Sequence, residues 1–466
     1  MSDVLQFSSS EAWLIVGLGR SGLATVEVLA QRGVRLYATD EGPRDVIAPA
    51  VAAAESLGAR FVEPGELDAV LGTIAWAVLS PGVAPISPLT RAINRRDVPV
   101  MGEIELAYRL CDAPIIAVTG TKGKSTTTAL IGHILRASGR GVRVGGNIGN
   151  PLIAEVTGAG PDDWVVAEVS SFQLETIHSF KPRVAVLLNI EPDHLDRYPS
   201  MDEYAEAKYR IFANQSLDDW FVGNFDDPRI EALSWHYGGA RVAARQLWFA
   251  LRGGERATMY VRDGTIMYAP VTGDPRPVPI LACRDIALPG EHNAANVMAA
   301  MLAAIAAGCP PAMLGDAVKS FRPLHHRLER VAEIDGVLYV DDSKATNPAS
   351  AIAALRSYRR PIVLIAGGRA KGSEFDAMGR EIRERAKALV AIGEAAAQIA
   401  AAATGVPTVG ADSMEDAVAH ARRLASAGDV VLLSPGCASF DMFASAEDRG
   451  ERFSAAVIRQ AEPASA

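Results

Sequence analysis

Short, nearly unbroken apolar runs recur along the chain, and helical stretches separate them almost throughout. Examples are "IIAVTG" at 115–120, "RVAVLLNI" at 183–190 and "PIVLIAGG" at 361–368. Runs of this kind are typical of strands buried on both faces of a parallel sheet. The alternation therefore predicts an α/β fold, in which helices cover parallel sheets.

The length and the rhythm of the chain predict several domains. A chain of 466 residues exceeds what one hydrophobic core usually serves. The strand rhythm breaks near "LCDAP" and again near "SFRPLHHRLE". We therefore predict three α/β domains, over 1–112, 113–322 and 323–466.

Composition excludes some classes of partner. The formal net charge is −9, which argues against a non-specific nucleic-acid binder, since that function needs a basic face. The N-terminus shows no basic, apolar leader, and the apolar run at 297–307 is too short to span a bilayer. We expect a cytoplasmic protein without membrane insertion. Four widely spaced cysteines fit a reducing compartment: Cys111, Cys283, Cys309 and Cys437.

The motif "TGTKGKST" lies between a predicted strand and a predicted helix. Backbone N–H groups of such a loop point inward, and the helix N-terminus adds partial positive charge, so the motif predicts a phosphate cradle. Lys124 can reach the β- and γ-phosphates, and the hydroxyl of Ser125 or Thr126 can bind Mg²⁺. The residues predicted to hold the nucleotide here are Gly120, Thr121, Lys122, Gly123, Lys124, Ser125 and Thr126.

Many further motifs follow in order: "GLGRSGLA", "SPGV", "GGNIG", "AEVSSFQLE", "NIEPDHLDRY", "YAEAKYRIF", "GEHNAAN", "HRLE", "DDSKATNPAS" and "SPGCASFD". With "TGTKGKSTT" they make the chain resemble, over nearly its whole length, the Mur ligase family. These are ATP-dependent amide-bond ligases of peptidoglycan precursor synthesis. The resemblance implies an α/β fold with a Rossmann-like domain over 1–112, a central P-loop ATPase-like domain over 113–322 and a Rossmann-like domain over 323–466. The resemblance implies ATP and Mg²⁺ as cofactors, and UDP-N-acetylmuramoyl-L-alanine and glutamate as substrates. We also expect a monomer.

Candidate metal and catalytic residues cluster in the central block. Taken alone, Glu168 could be a metal ligand or an exposed residue at a strand end. His194 could be a base, a metal ligand or a loop histidine, and Lys208 would be a surface lysine. The resemblance implies that Glu168, His194 and Lys208 serve Mg²⁺ together with Ser125. Lys208 would act as a carbamate formed with CO₂, and Asn147 would lie near the metal and the phosphates. Lys124, His194, Lys208 and Lys344 are the implied catalytic residues.

The remaining nucleotide and glutamate contacts are implied by the resemblance. His292, Asn293 and Asn296 begin a helix and either cap it or contact the adenosine side of ATP. Taken singly, the later residues could each be exposed loop residues. The resemblance places Arg327 on the ATP phosphates, Asp341 on the ribose and Lys344 on the acyl phosphate or the uridine substrate, and it places Thr346, Lys371, Ser439 and Phe440 at the glutamate.

The first block contains G-x-G-x-x-G at Gly17, Gly19 and Gly22, followed by Asp40 at the end of the next strand. By itself this pattern fits dinucleotide binding, so an NAD-dependent dehydrogenase is the alternative from another class. The resemblance instead implies that this loop grips the diphosphate of a UDP-sugar. The predicted substrate-binding residues are Gly19, Arg20, Ser21, Asp40, Ser80, Gly82, Ser170 and Gln173.

Two departures from the family pattern bear on affinity and on the acceptor. Lys122 stands where many relatives have asparagine, and Ala446 stands where related enzymes commonly have phenylalanine. The acceptor alternatives are L-glutamate or another amino acid. A nucleotide-binding regulator without activity is a third alternative, and it would not need Glu168, His194 and Lys208 together.

Overall fold

A computed structural model of the protein describes residues 11–84, 86–194, 197–234, 242–252, 257–271, 276–288, 290–322, 325–370 and 374–461. The chain forms two compact units. The first comprises Met1–Asp285 with Ala294–Ser320, and the second comprises Ile286–Asn293 with Phe321–Ala466.

The first unit begins with a sheet of five strands: β1 (Ala12–Val16), β2 (Arg35–Thr39), β3 (Arg60–Phe61), β4 (Ile74–Leu79) and β5 (Val100–Gly102). Their order is β3-β2-β1-β4-β5, and every pairing is parallel. The central strand β1 is buried at all of its positions, as its unbroken apolar sequence requires. The accompanying helices are α1 (Arg20–Ala30), α2 (Arg44–Ser56), α3 (Asp68–Leu71), α4 (Pro88–Arg95) and α5 (Glu103–Arg109).

A nine-stranded sheet follows in the same unit: β6 (Ile115–Thr119), β7 (Val142–Gly146), β8 (Trp164–Glu168), β9 (Val184–Leu187), β10 (Trp220–Asn224), β11 (Arg245–Ala250), β12 (Met259–Arg262), β13 (Thr265–Tyr268) and β14 (Val278–Ala282). Their order is β14-β13-β12-β11-β10-β9-β6-β8-β7. The strands from β7 to β12 pair in parallel, whereas β12–β13 and β13–β14 are antiparallel. The turn between β12 and β13 contains Asp263 and Gly264, which both have positive φ, 50° and 71°.

The helices of this second layer are α6 (Lys124–Ala137), α7 (Leu152–Val156), α8 (Ser171–Leu174), α9 (Met201–Tyr209), α10 (Pro228–Glu231), α11 (Glu291–Ala306) and α12 (Leu314–Ser320). The apolar run at 297–307 lies in α11 and just beyond it, and its residues are mostly buried. Among the described helices, we find none with the length and apolarity needed to cross a bilayer.

The second unit contains a six-stranded sheet: β15 (Glu329–Ile334), β16 (Val337–Asp341), β17 (Ile362–Gly367), β18 (Ala386–Ile392), β19 (Thr408–Ala411) and β20 (Val430–Leu433). The order is β15-β16-β20-β17-β18-β19, with only the β15–β16 pairing antiparallel among them. Its helices are α13 (Pro348–Arg356), α14 (Asp376–Arg385), α15 (Ala396–Ala402), α16 (Met414–Leu424) and α17 (Ala446–Ala461).

Three sheets with mainly parallel strands confirm the predicted three-domain α/β class. The boundaries at 112/113 and 322/323 stay a prediction, because the compact units divide the chain differently. The sequence did not predict either outer strand of the third sheet, β15 or β19. β15 and β19 alternate between partly buried and exposed residues and so lack the continuous apolar run that marks the central strands.

Helix α5 joins the first sheet to the layer that follows it. The Glu105 carboxylate is fully buried and accepts hydrogen bonds from the backbone N–H groups of His178, Ser179 and Phe180, at 2.9–3.1 Å. Burial alone would raise its pKa, but these bonds and the Arg109 guanidinium outweigh burial and hold the pKa below its usual value. Glu105 therefore stabilises this junction as a carboxylate.

Glu103, on the same helix, is also buried, but its environment favours the neutral carboxyl group. Its Oε1 accepts the backbone N–H of Ile153 at 2.7 Å, at the start of α7, while its Oε2 has no hydrogen-bond partner in the described structure. Burial raises the pKa of Glu103 to about 7. The junction thus contains one carboxyl group, Glu105, whose environment favours the charged form, and another, Glu103, whose environment favours the neutral form.

We expect wild-type protein to lose stability relative to Glu103→Gln as pH rises from 4.5 to about 7, the unfolded and folded pKa values of Glu103. In this range the unfolded chain releases the proton while the folded protein retains it, which favours unfolding. The full difference is up to roughly 3 kcal/mol, at about 1.4 kcal/mol per pKa unit. Urea unfolding on either side of this range measures it, with the exposed Glu63→Gln as control. Parallel stability profiles of wild type and Glu103→Gln would contradict the assignment.

Candidate functional site

The glycine loop between β6 and α6 adopts backbone angles that favour glycine. Gly120 has φ of +153° and Gly123 has φ of +82°. A Cβ added at Gly123 would lie 2.3 Å from Oδ1 of Asn296, so any other residue here would require the Asn296 side chain to move. Helix α6 begins at Lys124, which places its first backbone N–H groups at the loop.

Two lysines converge on one carbonyl oxygen of this loop. Lys124 Nζ donates to Gly120 O and to Thr121 O, both at 2.9 Å. Lys208 Nζ, from α9, donates to the same Gly120 O at 2.9 Å. The side chain of Lys208 is only 2% exposed, so the surface-lysine interpretation is wrong. Burial, followed by the nearby Lys124 charge, holds the pKa of Lys208 well below its usual value.

Tyr204 connects the loop, Lys208 and His194. Its hydroxyl lies 3.1 Å from Thr121 Oγ1, and Lys208 Nζ lies 4.6 Å from the centre of its ring. The His194 ring packs edge-on at 6.4 Å from the Tyr204 ring and at 4.8 Å from the Phe172 ring. The backbone of His194 has φ of +55°, an unfavourable angle for a residue other than glycine.

Glu168 ends β8, and β8 pairs with β6 so that Glu168 lies opposite Val118. The side chain is 3% exposed. Its Oε1 accepts from Asn147 Nδ2 at 2.7 Å, whereas Oε2 is buried without a hydrogen-bond donor in the described structure. A buried carboxylate oxygen with no donor is costly, and a bound cation would satisfy it.

The additional lysine of the loop, Lys122, has a counter-charge. Its Nζ lies 2.5 Å from Oε2 of Glu191, and its backbone N–H donates to Asn189 Oδ1 at 2.8 Å. Both charged side chains are partly exposed, so the pair adds little stability. Glu191 nevertheless offsets the extra positive charge beside the cradle.

A cavity of about 640 Å³ lies in the same unit. It brings together most of the predicted substrate-binding residues and also Asn147. Ser170 does not line it, because its hydroxyl caps α8 in a reciprocal pair with Gln173. The predicted residues that line the cavity are Gly19, Arg20, Ser21, Asp40, Ser80, Gly82, Gln173 and Asn147.

The glycine fingerprint shapes one wall of this cavity. Gly17 has φ of +88°, and a Cβ at Gly22 would lie 1.9 Å from Gly17 O, so the third glycine lets α1 approach β1 closely. The Asp40 carboxylate accepts from the backbone N–H of Leu18 at 2.6 Å and of Gly42 at 2.8 Å. Asp40 therefore builds the loop as well as lining the cavity.

In the second unit, Arg327 lies between two strained residues. His326 and Leu328 have φ of +61° and +47°, angles that cost energy for residues other than glycine. Asp341 is fully buried, and His326 Nδ1 lies 2.7 Å from its Oδ2. Its neighbour Asp342 is also buried, which raises the pKa of that carboxyl to about 7. A ribose contact by Asp341 stays a prediction and would require its pair with His326 to open.

The other predicted residues of this unit differ in exposure. Lys344 Nζ is 2.5 Å from Glu447 Oε1, and Thr346 is exposed just beyond it. Ser439 is 2% exposed, while Phe440 is 59% exposed. Lys371 lies outside the described residues.

The predicted adenosine contacts are divided between the units. His292, which is exposed, and Asn293, which is buried, belong to the second unit at the start of α11. Asn296, on the same helix, belongs to the first unit and packs against Gly123.

Sequence reasoning missed Tyr204, Glu191 and Glu447 as parts of these sites. A signal existed for Tyr204, because it precedes Lys208 by one helical turn and so shares its face of α9. Glu191 and Glu447 carried no such signal, since each meets its lysine across a large sequence separation.

The chain matches three domain families in order: the N-terminal domain of MurD-like Mur ligases over residues 11–102, the Mur ligase middle domain over 118–304 and the Mur ligase glutamate ligase domain over 326–437. The chain therefore belongs to the Mur ligase family. Among its relatives are two UDP-N-acetylmuramoylalanine–D-glutamate ligases. That of Pelotomaculum thermopropionicum is 46% identical over 96% of this chain and 97% of its own. That of Geotalea daltonii is 44% identical over 95% and 96%.

Solved structures agree in fold. The UDP-N-acetylmuramate-alanine ligase MurC of Thermotoga maritima has a TM-score of 0.60 at 18% identity, covering 96% of this chain and 99% of its own. The MurF ligase of the same organism in complex with ADP has a TM-score of 0.59 at 16% identity, covering 99% and 100%. At these identities the likeness supports the three-domain fold.

We expect Gly123→Ala to abolish ATP binding, because a methyl group there would meet Asn296 and the residue would keep its unfavourable positive φ. Gly139→Ala is the matched control. Gly139 has the same φ of +82°, but a Cβ there meets nothing within 4 Å. Calorimetric titration with ATP measures both variants. ATP affinity that falls equally in the two variants would show that contact with Asn296 is unimportant.

Proposed function

We propose that this protein joins D-glutamate to UDP-N-acetylmuramoyl-L-alanine at the expense of ATP, releasing ADP and phosphate. The observation that carries this proposal is the convergence of Lys124 and Lys208 on the Gly120 carbonyl of a glycine loop, with the large cavity in the same compact unit. Relatives that match over nearly the full length of both chains bear the D-glutamate ligase name, and this favours D-glutamate over the alternative acceptors.

The proposed chemistry has two steps. A carboxylate oxygen of the alanyl group attacks the γ-phosphorus of ATP, the bridging P–O bond breaks and ADP leaves. The neutral amine of glutamate then attacks the acyl-phosphate carbonyl, a tetrahedral intermediate forms, and phosphate leaves as the C–O bond breaks. The amine proton passes to solvent or to a base. Lys124 offsets the repulsion between the two anions and stabilises the charge that develops on the transferring group.

The residues present fit Mg²⁺. The unpartnered Oε2 of Glu168 and the hydroxyl of Ser125 are oxygen donors of the kind that Mg²⁺ prefers. His194 and a carbamate on Lys208 would complete the set. When bound, the metal would neutralise phosphate charge and act as a Lewis acid. The lowered pKa of Lys208 supports carbamate formation, because only the neutral amine reacts with CO₂.

Residues of the second unit supply the acceptor side in this proposal. Lys344 would meet the acyl phosphate and Arg327 the ATP phosphates. Thr346, Ser439, Phe440 and Lys371 would contact glutamate, and a lysine with hydroxyl groups suits a dicarboxylate. The notable departure at Ala446 affects the start of α17, where its backbone carbonyl accepts a hydrogen bond of 2.6 Å from Ser343 Oγ.

We further propose a cytoplasmic monomer that binds neither nucleic acid nor membrane. All four cysteines are free, which suits a reducing compartment. A nicotinamide dehydrogenase would leave the loop at Lys124 and the buried Lys208 without a role.

We expect phosphate release from ATP only when UDP-N-acetylmuramoyl-L-alanine and D-glutamate are both present. L-glutamate, lysine and diaminopimelate should react much more slowly, and NADH absorbance should not change. Mass spectrometry identifies the product. Equal rates with both glutamate enantiomers would overturn the choice of acceptor.

Lys124→Gln should lower kcat by about a hundredfold or more, the usual effect of removing one group that stabilises a transition state. The half-exposed Lys319→Gln is the control.

A second experiment tests Lys208 without relying on turnover. We expect protein incubated with ¹³C-bicarbonate to show a carbamate carbon signal by NMR, because a buried, neutral lysine amine adds CO₂. Lys208→Met should lack that signal, while Lys181→Met, which removes a half-exposed lysine, should retain it. A signal that survives in Lys208→Met would assign the carbamate elsewhere.

A further inference from the structure

Arg449 is a fully buried cation near the start of α17, the last helix of the second unit. Its guanidinium donates to Ser343 Oγ at 2.9 Å, to Ser343 O at 2.8 Å and to Cys437 O at 3.1 Å. Among the described residues no carboxylate forms a salt bridge with it. The charge is therefore held by neutral oxygens of two loops, one after β16 and one after β20. Such a costly arrangement calls for an explanation.

The loop after β16 is fixed at the residue that precedes Lys344. The backbone N–H of Ser343 donates to Asp341 Oδ1 at 2.8 Å, and its hydroxyl donates to Ala446 O at 2.6 Å. With the two bonds from Arg449, every polar group of Ser343 is engaged. The peptide that leads into Lys344 therefore has one orientation.

The same end of α17 also holds the Lys344 side chain. Nζ of Lys344 lies 2.5 Å from Oε1 of Glu447, and this bond holds the pKa of Glu447 down at about 2. Both side chains are partly exposed, at 33% and 53%, so the pair contributes little to stability. An ammonium group has three N–H donors, so two remain available while Glu447 restricts the lysine chain.

A third observation points to the same contact. A Cβ at Gly450 would lie 2.1 Å from His326 Nδ1 and 2.6 Å from Asp341 Oδ2. Glycine inside a helix costs about 1 kcal/mol relative to alanine. Here it lets α17 approach the strand end that carries the lysine loop, which accounts for the Arg-Gly pair at this point of the helix.

We propose that Arg449 and Glu447 are positioning residues for Lys344, Arg449 fixing its backbone and Glu447 directing its ammonium group. The proposal rests on the proposed function, in which Lys344 meets the acyl phosphate. It deepens that function by assigning to α17 the task of aiming the lysine. Neither residue touches substrate in this proposal, so their loss should affect the chemical step more than nucleotide binding.

The test compares kcat and KM for ATP in full-length wild type, Glu447→Gln and Arg449→Lys. We expect kcat to fall about tenfold in Glu447→Gln, equivalent to about 1.4 kcal/mol, and further in Arg449→Lys, with KM for ATP unchanged. Glu415→Gln and Arg452→Lys are matched controls. Glu415 pairs with Arg459 on the surface at a similar exposure of 52%, and Arg452 lies exposed on the same helix, so both should keep wild-type kcat.

Thermal unfolding separates positioning from folding. Arg449→Lys leaves buried oxygens without donors and can lower stability, but Glu447→Gln changes a half-exposed pair and should unfold at the wild-type temperature. Wild-type kcat in Glu447→Gln would overturn the proposal, as would losses of kcat that match the unfolded fraction in both variants. If wild type itself formed no product, the proposed function would fail instead, so the two failures are distinguishable.

Discussion

The site depends on two lysine side chains that meet at a single backbone carbonyl. Gly120 O accepts hydrogen bonds from Lys124 and from Lys208, and the second of these lysines is almost wholly buried. Two ammonium groups at this distance would repel each other, and this repulsion adds to burial in favouring the neutral amine of Lys208. In the proposed function Lys124 would then supply the countercharge for the carboxylate and the triphosphate, while the Lys208 amine stays able to react with CO₂.

Much of this architecture could be read from the sequence. The central strands and the glycine loop before α6 were predictable because each depends on local features: apolar runs for the strands, and glycines followed by a lysine at a helix start for the loop. The strand-end position of Glu168 was equally predictable. Its unpartnered oxygen was not, because that depends on which groups the neighbouring strands bring near it.

Local sequence features do not predict the burial of Lys208. A lysine on a polar helix is normally solvated, and nothing within α9 contradicts that reading. Its buried amine bonds to Gly120, in the loop after β6, which lies 88 residues away in the sequence. The bonds from Glu447 to Lys344 and from Arg449 to Ser343 likewise span about a hundred residues. Such contacts are set by the register of strands and helices rather than by any motif.

The two acidic residues of α5 have a consequence for substrate choice. Glu105 accepts three backbone N–H groups of the following layer, and Glu103 accepts one more, so the first sheet is attached firmly to the second. In the proposed function the cavity holds the UDP-sugar and the glycine loop holds ATP, so a fixed distance between them would select substrates. A UDP-sugar would be accepted according to the number of atoms between its diphosphate and its free carboxylate. A chain lengthened by another amino acid would carry that carboxylate past the phosphoryl group it has to meet.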